Sequence, residues 1–387
     1  MLLSTIRILS WPLIMLLTGP GAGRHGGKIV AQGSPDKMKK CDTLTCHYLN
    51  GKKEIQIPEQ RRKSNGKAII LSGASGNNLK NVTLKLPLGI FVCITGVSGS
   101  GKSSIINETL YPLLSKHFYR SEKKPLPYDE VDGLKNIDKV IEIDQSPIGR
   151  TPRSNPATYT KLADVVRDIY AGLPEAKEGG VKKSFFSFNT KGGRCENCQG
   201  AGVLQMGMHF LGEVNIPCEV CHGKRFNDKV LDYKYKGKSI SDVLELDVAD
   251  ALSFFKGHSK IERILLALDA LGLSYLKLGQ ASTTLSGGEA QRIRLAAELS
   301  KSNSKNCLYI LDEPTSGLHR SDAYRLLISL KELAKKGNTV VIINNHRDFI
   351  KNADHLIELG PGSGASGGNI VYQGVAEGIH QRQDSLT

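Results

Sequence analysis

The chain has 387 residues, 40% of them hydrophobic, which is enough to bury an ample core in two or three domains. Lysine and arginine outnumber aspartate and glutamate by 52 to 38, and the formal net charge of +14 favours a polyanionic partner. No apolar run approaches the roughly 20 residues that a membrane-spanning helix needs, so a helical membrane-embedded protein is excluded.

Residues 1–18 hold one arginine, Arg7, and an apolar run over 8–17. This has the look of an export signal. An alternative start, or translation across a truncation junction, accounts for it better in a chain that also carries paired thiols. Residues 19–33 and 360–374 repeat each other, with Ile29, Val30, Gln32 and Gly33 answering to Ile370, Val371, Gln373 and Gly374. A repeat carries architectural information. The second copy closes the chain's C-terminal module, so the first is expected to close an earlier one, and residues 19–66 are read as that module's tail plus a linker. Lys52, Lys53, Arg61, Arg62 and Lys63 give the linker an exposed basic character.

Residues 96–103 read Gly-Val-Ser-Gly-Ser-Gly-Lys-Ser. A strand-type run over 90–94 precedes them and a helical pattern over 104–114 follows. That strand–loop–helix context is what a phosphate-binding P-loop requires. Gly96, Ser98, Gly99, Ser100 and Gly101 would bring backbone N–H groups to the phosphates, aided by the helix N-terminus at Ser104. Lys102 would reach the β- and γ-phosphates, and Ser103 would ligate Mg²⁺. Gln145 follows a second apolar run, 140–143.

Cys195 and Cys198 form one CxxC pair, Cys218 and Cys221 another, and nineteen residues separate them. Two such knuckles predict a tetrahedral Zn²⁺ site that is structural, since four sulfurs leave no open position. Disulfides or unrelated buried thiols are the alternatives. Thiolate ligands imply a reducing compartment. His209 and His222 lie nearby and are read as non-ligands. The intervening excursion has an apolar tip over 206–211, either packed on its own domain or exposed as a contact surface. Lys182, Lys183, Lys191 and Arg194 beside the zinc site are candidates for contacts to DNA phosphates rather than base edges.

Leu285, Ser286, Gly287, Gly288 and Glu289 open a helical pattern over 290–299, with Ser286 placed as its cap. An apolar run over 308–311 ends in Asp312 and Glu313. Carboxylates at a buried strand end suit metal binding, by Asp312, and polarisation of an attacking water, by Glu313. In this order the motifs specify an ABC ATPase. Residues 285–289 resemble the signature of that class, which closes over nucleotide held by a second module. Gln145 resembles its Q-loop glutamine, and Ser316, Gly317, Leu318 and His319 its D-loop. The fold expected is α/β: a P-loop ABC core of parallel sheet and flanking helices over 67–114 and 281–378. Residues 115–280 form an insertion with signature-type helices and the zinc module, and 379–387 a tail.

Further residues narrow the class. The run Asn77 to Val82, the P-loop, the stretch from Asp144 to Thr160, both cysteine pairs with Cys218 to Arg225, and the signature through Asp312, Glu313, Pro314 and Thr315 are together similar to the UvrA family. The resemblance covers nearly all of residues 19–378 and matches the family's linker and second ATPase module. It implies a cytoplasmic, damage-recognising ATPase of bacterial nucleotide excision repair and the SOS response. ATP, Mg²⁺ and Zn²⁺ would be its cofactors. DNA would be its partner, together with another copy or a separate first module. The UvrB-binding region belongs to the family's first module, outside the matched stretch. One departure stands out: where the family pattern reads Val-Ile-Glu-His-Asn, this chain has Ile342, Ile343, Asn344, Asn345 and His346. The switch position thus holds Asn345. His346, the candidate imidazole, is one residue later, where a strand points the other way. A transporter ATPase subunit and a non-catalytic remnant are the competing readings.

Overall fold

A computed structural model describes residues 15–19, 23, 26–208, 212–301 and 305–381. Residues 1–14 of the expected leader over 1–18 and the tip residues 209–211 lie outside them, while residues 15–18 of that leader fall in a strand. The chain divides into two compact units, one of residues up to 56 with 319–324, the other of 57–318 with 325 onwards.

In the first unit β1 (Met15–Gly19) pairs antiparallel with β2 (Lys28–Gly33), with a bulge between Leu17 and Thr18. Two short helices follow, Pro35–Met38 and Leu44–Leu49. Thr43 caps the second by accepting from the Cys46 N–H at 3.3 Å. Met38 and Cys46 are fully buried.

In the second unit β3 (Ala68–Ala74), β4 (Val82–Pro87) and β6 (Glu130–Asp132) form an antiparallel sheet, ordered β4-β3-β6. Strand β4 alternates: Val82, Leu84 and Leu86 are buried, Thr83 and Lys85 exposed, the pattern of a sheet with one face on the core. The central sheet has six strands. They are β5 (Phe91–Thr95), β7 (Lys139–Ile143), β10 (Cys307–Asp312), β11 (Thr339–Ile343), β12 (His355–Gly360) and β13 (Asn369–Gly374), in the order β13-β12-β5-β11-β10-β7. All neighbours are parallel except the edge pair β12–β13. Every residue of β5 and β11 is buried, as in a parallel sheet covered on both faces. Two corrections to the sequence reading follow. Residues 68–87 belong to the separate antiparallel sheet, and Lys139–Ile143, from the segment read as insertion, is an edge strand of the core.

The repeat is structural. Met15 pairs with Gly33 and Gly19 with Lys28; at the same offset Leu356 pairs with Gly374 and Gly360 with Asn369, and both hairpins bulge at the equivalent step. Strand β12 also pairs with β5, whereas among the described residues β1 and β2 form a two-stranded sheet.

The linker is pinned to the core sheet. The buried Asp354 carboxylate accepts the Arg62 N–H at 3.0 Å and the Phe91 N–H at 2.9 Å, joining the linker to the first residue of β5. The region between β7 and β10 is helical, with Leu162–Ala171, Ser259–Ala270 and Gly287–Leu299 as its longer helices. From it projects the hairpin of β8 (Val203–Met208) and β9 (Gly212–Pro217), where Met206 and Ile216 are exposed.

Candidate nucleotide and metal sites

The P-loop leaves β5 at Thr95 and enters a helix at Lys102. Gly96, Gly99 and Gly101 have φ of 136°, 75° and 106°, a region that favours glycine. At Gly96 a Cβ would also lie 2.1 Å from the Leu359 carbonyl oxygen, so no side chain fits there. Lys102 is buried, and its ammonium donates to the carbonyls of Gly96 at 2.7 Å and Val97 at 2.8 Å. Burial lowers its pKa, while the charges of Glu313 and Asp312 oppose the shift. Ser98, Gly99 and Ser103 are exposed; Ser100 and Ser104 are buried. The Asn78 amide braces the loop by donating to the Gly99 carbonyl at 3.0 Å.

Asp312 ends β10 half-buried, and burial raises its pKa against the counter-effect of a 2.6 Å hydrogen bond from the Asn107 amide. Glu313 is exposed at φ 41°, a left-handed conformation uncommon for a residue with a side chain, and its N–H donates to the Ile343 carbonyl at 2.9 Å. The Gln145 amide lies 3.4 Å from the Glu313 carbonyl oxygen, to which it donates. The strand ends therefore gather Lys102, Asp312, Glu313 and Gln145.

The signature segment builds a capping box. The Ser286 hydroxyl accepts the Glu289 N–H at 3.3 Å, and the Glu289 carboxylate accepts the Ser286 N–H at 2.8 Å, which starts the helix Gly287–Leu299. Half-buried Leu285 precedes the cap. Gly287 abuts the Q-loop, since a Cβ there would lie 3.2 Å from the Gln145 carbonyl oxygen. Farther along the helix, buried Gln291 donates to the carbonyls of Ile143 at 2.8 Å and Asp312 at 3.0 Å. Arg294 pairs with Asp144 and donates to the carbonyls of Ser146 at 3.0 Å and Pro147 at 3.1 Å. Sequence reasoning missed Gln291, Arg294 and Asn107. The spacing of 291 and 294, one helical turn apart, was the available signal for the first two.

At the switch position Asn345 accepts hydrogen bonds through Oδ1 from the Thr95 hydroxyl at 3.0 Å and the Gly96 N–H at 3.2 Å. His346 caps the helix Arg347–Asn352 instead. Its Nδ1 accepts the Asp348 N–H at 3.3 Å, and its ring meets Phe349 edge-on. An amide, not an imidazole, thus touches the first P-loop glycine. Neighbouring Asn344 exchanges hydrogen bonds with the Thr315 hydroxyl at 2.9 and 3.2 Å.

The four cysteine sulfurs of Cys195, Cys198, Cys218 and Cys221 lie within 4.8 Å of one another, and all four residues are buried. The pairs Cys195–Cys218 and Cys198–Cys221 stand 4.0 and 3.6 Å apart, far beyond the roughly 2.05 Å of a disulfide. Tetrahedral Zn–S bonds of about 2.3 Å place sulfurs about 3.8 Å apart, so the cluster fits zinc. Left-handed residues make the knuckle turns: Gln199 and Gly200 after the first pair, His222 and Gly223 after the second. Burial opposes ionisation of Cys218, but N–H groups of Cys221 and Val220 and the Asn197 amide hold its thiol down to about 6. Burial drives Cys221 up to about 12. A cation is what would make all four thiolates compatible in one buried cluster. His222 is exposed, and His209 lies outside the described residues. Arg225 ties the metal module to its surroundings. Its guanidinium donates to the carbonyls of Pro152 at 3.0 Å and Gly279 at 2.9 Å and lies over the Phe188 ring.

The basic candidates divide. Lys182 and Lys191 are exposed, whereas Lys183 pairs with Asp168 at 2.6 Å and Arg194 with Glu196 at 3.1 Å. Among the described residues no helix is long and apolar enough to cross a membrane.

No family model matches the chain. Direct comparison does find relatives. The UvrABC system protein A of Bacillus subtilis (strain 168) is 54% identical over 370 residues, 95% of this chain and 39% of that protein. That of Aquifex aeolicus (strain VF5) is also 54% identical over 370 residues, 95% of this chain and 40% of that protein. The crystal structure of UvrA2 from Deinococcus radiodurans superposes with a TM-score of 0.90 at 42% identity, covering 97% of this chain and 45% of that one. The chain matches UvrA proteins over nearly its whole length. It spans about two fifths of the length of the curated UvrA proteins it matches.

The cysteine geometry makes a direct prediction. Purified chain should carry about one zinc, and Cys218→Ser should lose most of it, because three sulfurs close the tetrahedron incompletely. Elemental analysis decides. Zinc below about a tenth of an equivalent in the undamaged protein, or unchanged in Cys218→Ser, would defeat the assignment.

Proposed function

We propose that the chain is an ATP-driven, DNA-binding repair module of the UvrA type. The observation that carries this reading is the convergence of Lys102, Asp312, Glu313 and Gln145 at the ends of strands β5, β10 and β7. In this reading Lys102 reaches the β- and γ-phosphates, and exposed Ser103 at the helix start serves Mg²⁺ together with Asp312. Bound Mg²⁺ neutralises charge on the phosphates and orients them. Glu313 polarises the attacking water, and Gln145 senses the phosphate and metal from the Q-loop. The loop amides from Gly96 to Ser104 cradle the phosphates. Residues 285–289 adjoin Gln145, and the reading gives them the γ-phosphate face of nucleotide held by another module. Two copies head to tail, or a separate first module, would close such sites. Asn345 offers no imidazole to the phosphate, which favours slow turnover.

DNA is the polyanion that the family and the net charge of +14 favour. Exposed Lys182 and Lys191 are the better phosphate contacts; Lys183 and Arg194 would first have to leave carboxylate partners. The buried thiolate cluster favours a reducing, cytoplasmic setting.

Lys102→Ala should weaken binding of a fluorescent ATP analogue at least tenfold, about 1.4 kcal/mol, with unchanged thermal unfolding. Equal affinity in variant and parent removes the nucleotide assignment. DNA retention should be salt-sensitive and nearly sequence-independent. With about three phosphate contacts it should fall roughly 40-fold between about 50 and 200 mM salt. A flat salt response, or no retention at low salt, contradicts the DNA reading.

A further inference from the structure

The helix after the P-loop is irregular in one place. Residues Lys102–Ile105 and Tyr111–Tyr119 are α-helical, but Ile106–Leu110 between them is a π turn. Such wide turns are rare and recur at functional positions. Its support is specific. The buried Thr109 hydroxyl donates to the Ser104 carbonyl, five residues back, at 2.6 Å. The Asn77 amide lies 3.0 Å from both the Ser104 hydroxyl and the Glu108 carboxylate, to which it donates. Inside the turn, at its second residue, the Asn107 amide donates to Oδ2 of Asp312 at 2.6 Å.

We propose that Asn107 is a positioning residue for metal-bound nucleotide, fixing the Asp312 carboxylate in the orientation that meets the divalent cation. This rests on the reading above that Asp312 serves the metal. Asp312 stands beside Glu313, whose charge repels it, and is otherwise drawn toward Lys102. A carboxylate under those opposing pulls needs a fixed partner to keep one rotamer. A neutral donor supplies it without competing for the cation. The Gln291 bond reaches only the Asp312 backbone carbonyl, so it leaves the carboxylate rotamer unset. The π turn is the device that brings residue 107 to the strand end, because one extra residue per turn changes which side chain faces Asp312.

The test uses the full chain with Mn²⁺ and ATP, following the bound ion by electron paramagnetic resonance. Asn107→Leu and Asn107→Ala should each raise the Mn²⁺ concentration for half-saturation about tenfold or more, the ratio for one hydrogen bond to a charged group. Binding of a fluorescent ATP analogue in excess chelator should change less than about twofold, since that readout bypasses the metal. Asn107→Gln, with the donor on a longer arm, should fall between those variants and the parent. If Asn107→Leu prevents folding, the smaller alanine carries the test. Half-saturation within about twofold of the parent in the folded variants overturns the proposal. Asp312→Ala separates the two readings. If it abolishes Mn²⁺ uptake while the Asn107 variants do not, only the positioning role fails; if Asp312→Ala also leaves uptake intact, the metal reading itself fails.

Discussion

The two hydrogens of the Gln291 amide are spent on two strand ends. One goes to the Ile143 carbonyl at the end of β7, the other to the Asp312 carbonyl at the end of β10. The residue is buried, so both carbonyls would otherwise lose water without a partner, a cost of about 1–3 kcal/mol each. Gln291 sits on the helix begun by the Ser286–Glu289 capping box. Its two bonds therefore set the signature helix against the strand that leads into Gln145 and the strand that presents Asp312 and Glu313. Arg294, one turn on, repeats the attachment at Asp144, Ser146 and Pro147. The residues at these strand ends are thus placed by one helix as much as by the sheet.

The metal module joins the same framework. Arg225 follows the last cysteine and grips the carbonyls of Pro152 and Gly279. Pro152 lies in the segment that continues from the Q-loop, and Gly279 in the segment that leads to the signature. Ser282 closes the loop between them by donating to the carbonyls of Gly149 at 2.9 Å and Thr151 at 3.2 Å. The cysteine cluster that precedes Arg225 is therefore linked to both segments through ordinary hydrogen bonds. At the start of β5, Asp354 joins the linker to the same sheet.

Local rules made much of this legible. The P-loop, the acidic strand end, the paired cysteines and the Ser286 cap each rest on short-range spacing, and the structure puts them in the elements that the spacing implied. The repeat was legible as two matching segments at a fixed offset, but the hairpin each forms, with a bulge at the equivalent step, was not. Long-range pairing was not legible. Nothing in Lys139–Ile143 announces that it borders β10 rather than belonging to an insertion, and the short strands over 68–87 do not reveal that they form a sheet of their own. Asn107 was hidden because a helical reading assumes 3.6 residues per turn, and the π turn breaks that count. Lys183 and Arg194 looked like open cations until their carboxylate partners, fifteen residues back and two ahead, came into view. At the switch, the substitution was visible but its consequence was not: Asn345 keeps contact with Thr95 and Gly96, while His346 serves as a helix cap.

The central claim is that one P-loop and one signature in this chain become a hydrolytic site only when modules pair. Phosphate release from ATP–Mg²⁺, measured as specific activity across a protein dilution series, tests it most directly. The account predicts slow release that rises with protein concentration and disappears in Glu313→Gln. Fast turnover independent of concentration, in a chain shown by sedimentation to be monomeric, would contradict it.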